Sequence, residues 1–235
     1  MIKFFDLAAR DTRLRFSPYC WRTKMALKHK GLAFETTPWR FTDKEAIANS
    51  GQGRVPALIF DDGKWLNESW DIALDLDRRY PDRPVLMASE AERAAARLVN
   101  SWCDLTLHLT FRPLLLLDVY KNVAEKDQQY FRESREKLAG MTLEELSSDR
   151  ANAVQALVNT FAPFERTLKD EKFLGGTAPN YADYALFGSL QWANCISGTH
   201  FLPPDFAGAA WFERLLDLHD GYARKAPTVR NLAAA

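Results

Sequence analysis

Ser17-Pro18-Tyr19-Cys20 puts a hydroxyl, a proline, a phenol and a thiol in one short run. Serine is a preferred N-cap and proline is tolerated at the first helical position, so the run opens a helix. The unpaired N–H groups and the dipole at a helix start can hold an anion, and the Ser17 hydroxyl can donate to it. Capping alone would also account for Ser17. Cys20 admits two readings, a thiol acidified by the helix start or a small buried residue. Val55-Pro56 precedes an apolar run. A proline there fits either a cis bond opening a central strand or an edge strand. Glu68-Ser69 stands at a third junction, where Ser69 can hold a carboxylate while Glu68 meets an ammonium. That pairing suits an amino-acid head group, although a plain N-cap with an acidic neighbour has the same sequence.

The elements around these junctions form two unlike halves. Ile2-Lys3-Phe4-Phe5 reads as a strand, the helix from Ser17 stops at Gly31, and Ala33–Thr37 reads as a strand closed by Pro38. Thr42-Asp43-Lys44-Glu45 fits a capping box ahead of a short helix. Val55–Phe60 reads as a buried strand, and Asp61-Asp62-Gly63 turns it back into Lys64-Trp65-Leu66. Ile72, Leu76 and Tyr80 line a helix that Pro81 ends. The order β-α-β-α-β-β-α is a small α/β sandwich.

Pro81-Asp82-Arg83-Pro84 is a stiff polar break, so the expected units are residues 1–84 and an all-helical 85–235. Ser89-Glu90-Ala91-Glu92 reads as a capping box for a long helix, with Leu98, Trp102, Leu105 and Leu109 as its core stripe and a break or kink at Pro113. A polar helix around 130–138 should end at Gly140, and Thr142-Leu143-Glu144-Glu145 is a further capping box. Val154, Leu157, Phe161 and Leu168 mark a helix kinked at Pro163; others follow over 180–192 and 211–222, and the last five residues should fray.

Composition narrows the function classes. The 235 residues include 31 Lys and Arg against 31 Asp and Glu, with 47% apolar residues. This is ordinary globular composition, with no electrostatic footprint for nucleic acid or an anionic membrane. No apolar run reaches the ~18 residues of a spanning helix, and no secretory signal opens the chain. Cys20, Cys103 and Cys195 are odd in number and far apart, and no His or Cys neighbours another at zinc-ligand spacing. The expectation is a metal-free, soluble protein of a reducing cytoplasm.

Taken in order, Ser17-Pro18-Tyr19-Cys20, Val55-Pro56 and Glu68-Ser69 resemble the thioredoxin-like domain of cytosolic glutathione transferases. Phe173-Leu174-Gly175-Gly176-Thr177-Ala178-Pro179-Asn180-Tyr181-Ala182-Asp183 resembles that family's folding motif in the helical domain, with Asn180 as cap and Asp183 answering it. The resemblance covers about residues 2 to 225. Within the family, Phe5-Asp6-Leu7-Ala8, the loop to Phe16, Ser17 to Lys24, Asp62-Gly63-Lys64-Trp65, Tyr80 to Pro84 and Thr142 to Leu146 are similar to bacterial β-etherases and fungal etherase-like transferases. Cys20 departs from that pattern, where a small or apolar residue is expected.

The resemblance implies a thioredoxin-like domain followed by a helical bundle, a homodimer, and glutathione as co-substrate. Ser17 would stabilise the thiolate, Val55 before Pro56 would pair with the cysteinyl peptide, and Glu68 and Ser69 would hold the γ-glutamyl end. Arg40 or Arg54 would meet the glycine carboxylate. A hydrophobic aromatic second substrate would sit among Tyr19, Trp102, Phe111, Leu114, Tyr120 and the first loop. Three activities compete: thiolate transfer to an aromatic electrophile, including aryl-ether cleavage; thiol reduction through Cys20; and non-catalytic carriage of hydrophobic ligands.

Overall fold

The computed structural model describes residues 1–199 and 201–233. A four-stranded sheet has the order β2-β1-β3-β4, with β1 Ile2–Leu7, β2 Phe34–Trp39, β3 Ala57–Ile59 and β4 Trp65–Asn67. Strand β1 runs parallel to β2 and antiparallel to β3, and β3 pairs antiparallel with β4. Phe4 thus faces Thr36 on one side and Leu58 on the other. Helices α1 (Pro18–His29) and α2 (Ser69–Arg79) complete the expected thioredoxin-like arrangement.

Pro38 does not close the second strand. The strand runs on through Trp39, because β2 lies at the sheet edge and a proline there breaks no central ladder. The Val55–Pro56 bond is cis, and Pro56 stands just ahead of the inner strand β3. The box expected at Thr42 is absent. Thr42 instead donates its N–H and hydroxyl to Asp127 Oδ1, at 3.0 and 2.7 Å, and 3₁₀ turns over Lys44–Ser50 follow without a side-chain cap.

From Glu90 onward the described residues form helices: α3 Glu90–Trp102, α4 His108–Asn122, α5 Glu125–Ala139, α6 Leu143–Leu146, α7 Arg150–Asp170, α8 Tyr181–Ile196, α9 Ala207–Gly221 and α10 Val229–Ala233. Both expected boxes at Thr142–Glu145 and Asn180–Asp183 form completely. At Ser89 only half forms, since the Glu92 carboxylate turns to the Ala88 N–H. Gly140 ends α5 with φ 72°, a conformation glycine adopts freely. Pro163 lies within α7. The short α10 stands where fraying was expected, and the end of that tail, Ala234–Ala235, lies outside the described residues.

Two readings of the long helix need correction. Pro113 sits inside α4 and does not break it, and a π turn over Cys103–Leu107 loosens the helical path upstream. The leucine stripe is not core: Leu98, Leu105 and Leu109 are 69%, 73% and 47% exposed. The inward face carries Asn100, Cys103, Leu107, His108 and Phe111, all buried.

Helix α1 packs against α8 and α2, and its Arg22 and Lys24 are buried, as is Lys30 at its C-cap. Lys24 Nζ meets Asp6 Oδ2 at 2.9 Å, and Lys30 Nζ meets Asp77 Oδ1 at 2.6 Å. Packing against α8 is close enough that a Cβ on Gly188 would come 2.4 Å from the Pro18 carbonyl oxygen. Among the described residues no helix is long and apolar enough to cross a membrane.

Candidate functional site

The start of α1 opens onto a cavity of about 450 Å³ between the sheet unit and the helices. Ser17 lies on its wall, extended at φ −61°, ψ 127°, with Oγ accepting from the Cys20 N–H at 3.2 Å. Pro18 has no N–H, and the Cys20 N–H is taken by this cap. The Tyr19 amide is what remains of the first turn's donors, beside the Ser17 hydroxyl.

Val55 and Arg54 line the same cavity. Arg54 Nη2 lies 3.4 Å from Glu68 Oε1, with both side chains exposed. Glu68 has φ 62° and ψ 116°, a conformation costly for any residue with a Cβ, at about 1–3 kcal/mol. It presents the Glu68 carboxylate immediately before buried Ser69, the first residue of α2. Arg54 and Val55 share this cavity with Ser17, and Glu68 is joined to it through its contact with Arg54.

The helical wall was only partly foreseen. Tyr19 lines the cavity, as does Phe16 from the first loop. The other expected residues do not. Phe111 and Leu114 are core, Phe111 packing on Trp192 and Phe201, because they fall on the face of α4 that the bundle covers. Trp102 does not line the cavity and is partly buried against the core. Tyr120 is covered by the Arg132 guanidinium at 4.3 Å. Arg40 points away and donates to the Arg10 carbonyl at 3.3 Å. In their place stand Asp104, His108, Arg112, Arg135, Leu138 and Trp192. Asp104, His108 and Arg112 are spaced by four, a polar helix stripe in the sequence that could have been read as a site face.

This stripe is wired into α1. Arg22, fully buried, donates from Nη1 to Asn100 Oδ1 at 3.2 Å and from Nε to the Ala185 carbonyl at 3.1 Å, and its Nη1 forms an ion pair with Asp104 Oδ1 at 2.9 Å. The Tyr19 hydroxyl lies 3.3 Å from His108 Nδ1. Burial first, then the charges of Arg22 and Arg112, hold His108 well below the usual histidine range, so the ring is neutral at pH 7.

Cys20 is fully buried, and desolvation together with the Asp6 carboxylate pushes its thiol far above the ordinary range. An acidified nucleophile is therefore not what this structure holds there. Among the described residues no group of three or more His, Cys, Asp or Glu comes together to hold a metal ion.

Comparison with known proteins agrees across both halves. Residues 16–79 match the family model for the glutathione S-transferase N-terminal domain, and residues 94–202 match that for the C-terminal domain. The glutathione S-transferase-like protein ustS of Aspergillus flavus is 25% identical over 222 residues, 82% of this chain and 80% of that protein. Glutathione S-transferase U22 of Arabidopsis thaliana is 26% identical over 180 residues, covering 75% of this chain and 69% of that protein. A glutathione S-transferase of Ceriporiopsis subvermispora, solved in complex with glutathione, superposes with a TM-score of 0.79 at 24% identity, over 94% of this chain and 97% of that one. Transferase GSTFuA2 of Phanerochaete chrysosporium gives 0.75 at 23%, over 99% and 97%. The two structural matches show the fold.

Proposed function

From the premise that this chain belongs to the glutathione S-transferase superfamily, we propose that it binds glutathione at the start of α1 and directs its thiolate at an aromatic electrophile seated on the helical wall. The observation that carries this reading is Ser17, capping α1 on the wall of a cavity whose other side is built of Phe41, Tyr130 and Trp192.

A thiol like that of cysteine has a pKa of about 8.5, so at pH 7 most of it is protonated. Depressing it by one unit needs roughly 1.4 kcal/mol of preference for the thiolate. A hydrogen bond to a charged group supplies about 1.5 to 3 kcal/mol and a helix terminus about 0.3 to 2. One to two units are within the means of Ser17 and the Tyr19 amide, without a metal. The thiol proton leaves to solvent. Sulfur then bonds to the electrophilic carbon as the leaving group departs with its electron pair. In aryl-ether cleavage the bond broken is C–O and the leaving group is a phenolate, which takes a proton from water.

In the same reading the glutathione-binding unit is residues 1–84 and the helical unit 85–235. The Val55 backbone pairs with the cysteinyl peptide, Glu68 and Ser69 hold the γ-glutamyl end, and Arg54 meets the glycine carboxylate. Arg40, turned toward Arg10, has no part. Two copies of the chain pair through the exposed Leu98, Leu105 and Leu109.

The test is turnover with glutathione against a panel of aryl halides, aryl ethers and disulfides. Conjugation or ether cleavage above the uncatalysed rate is expected. Ligand binding without turnover would replace the reading with that of a carrier.

A further inference from the structure

The cavity carries a charge imbalance that a neutral aromatic substrate would leave standing. Its lining includes Lys44, Arg54, Arg112 and Arg135 but a single carboxylate, Asp104. That carboxylate is already engaged: Oδ1 by Arg22 at 2.9 Å, Oδ2 by the Asn100 amide at 2.9 Å. Arg54 faces Glu68, and Lys44 Nζ donates to the Gly53 carbonyl at 2.5 Å.

Arg112 and Arg135 remain. Among the described residues Arg112 makes neither a hydrogen bond nor an ion pair, and Arg135 makes no ion pair. Arg135 donates to Ser134 Oγ at 2.9 Å and lies over the faces of Phe41 and Phe131, at 5.4 and 4.8 Å from their centroids. Ring faces leave the charge in place and the donor edge of the guanidinium usable. Both side chains are half-buried, and the charge of Arg112 opposes that of Arg135. Two like charges held at an apolar wall, with Leu116, Leu138 and Trp192 beside them, are stabilised together by one anion.

We propose that Arg112 and Arg135 form an anion subsite for the second substrate, and that this substrate is an aromatic electrophile bearing a carboxylate. Planar guanidinium forks match the two oxygens of a carboxylate. The assignment rests on the transferase reading, which places the carboxylates of glutathione near Arg54, Glu68 and Ser69. The carboxylate takes no part in the chemistry. With a chloronitrobenzoate, sulfur bonds to the ring carbon that bears chlorine, chloride leaves with the C–Cl electron pair, and the acid group is unchanged.

The experiment compares 4-chloro-3-nitrobenzoate with the uncharged 4-chloro-3-nitrobenzamide, each divided by its uncatalysed rate with glutathione. In the wild type kcat/KM should favour the acid by roughly tenfold or more, the scale of a hydrogen bond to a charged group, and less so as salt rises. In R112Q/R135Q the preference should collapse toward parity while the KM for glutathione holds, and R112K/R135K should retain part of it. No preference for the acid in the wild type, or a loss in the Gln variant that falls on glutathione KM instead, overturns the subsite.

Binding of unreactive 3-nitrobenzoate and 3-nitrobenzamide, followed by quenching of tryptophan fluorescence, decides the matter independently of turnover. If neither chlorinated probe reacts, the transferase reading fails. A quenching preference for the benzoate that vanishes in R112Q/R135Q still supports the subsite, and equal quenching by both overturns it.

Discussion

The Tyr19 hydroxyl and His108 Nδ1, 3.3 Å apart, join the helix that begins at Ser17 to the helix that carries Arg112. The other ring nitrogen, Nε2, lies 2.8 Å from Ser189 Oγ, whose own proton points to the Ala185 carbonyl at 3.4 Å. That chain fixes the tautomer: Nε2–H donates to Ser189, and Nδ1 accepts from Tyr19. One neutral imidazole thus ties α1, α4 and α8 together at the cavity wall.

Acid should therefore loosen the fold well above the range where carboxylates titrate. Burial depresses His108 and His29, and holds His219 at about 4. Above the unfolded value of about 6.5 neither state binds these protons, and stability is flat. Below it the unfolded chain takes up protons that the fold refuses, and His108 alone removes about 1.4 kcal/mol per pH unit. His29 and His219, more exposed, act in the same direction. Urea midpoints should hold between pH 7 and 8 and fall from 6.5 downward, less steeply in His108→Gln. A flat profile to pH 5 would contradict the buried neutral ring.

Gly188→Ala should act on the site from the far side of α1. Its Cβ would meet the Pro18 carbonyl oxygen at 2.4 Å and Arg22 Cγ at 3.0 Å. Overpacking of this kind costs about 1–3 kcal/mol. Because Pro18 follows Ser17 directly, the melting temperature and the KM for glutathione should both worsen. Unchanged glutathione kinetics in a destabilised variant would uncouple the helix crossing from the site.

Self-association is the expected fate of the exposed leucines. The wild type should sediment at twice 26.8 kDa, and Leu98→Glu with Leu105→Glu should give the single chain. A wild type sedimenting as the single chain at micromolar concentration would contradict the pairing.

What the sequence made legible was local. Ser17 and Glu68-Ser69 sit where the chain enters a helix and Val55-Pro56 where it enters a strand, and caps and prolines mark such places within a few residues. The boxes at Thr142 and Asn180 were legible for the same reason. Which face of a helix the rest of the chain covers was not. Leu98, Leu105 and Leu109 recur like a core stripe and lie outside, while Asp104, His108 and Arg112 lie inside. Thr42 reads as a cap until Asp127, 85 residues away, takes its donors. Arg135 and Trp192 reach the cavity from α5 and α8, and no local pattern announces that.

Native thiols should be silent. Burial pushes Cys103 and Cys195 up to about 12 and Cys20 higher still. A chromogenic disulfide reagent at pH 8 should find no thiol in the native protein and all three in denaturant. Cys20→Ala should keep its transferase activity. A Cys20 that reacts at once in the native protein would revive the thiol-reductase reading.

The role of Ser17 is tested most directly by the thiol pKa of bound glutathione, read from thiolate absorbance as a function of pH in the wild type and in Ser17→Ala. If the Ser17 hydroxyl favours the thiolate by about 1.5 to 3 kcal/mol, the variant should raise that pKa by roughly one to two units, with glutathione affinity changing much less. Some thiolate should persist on the Tyr19 amide and leave residual activity. A thiol pKa equal in the two proteins would contradict the assignment of Ser17.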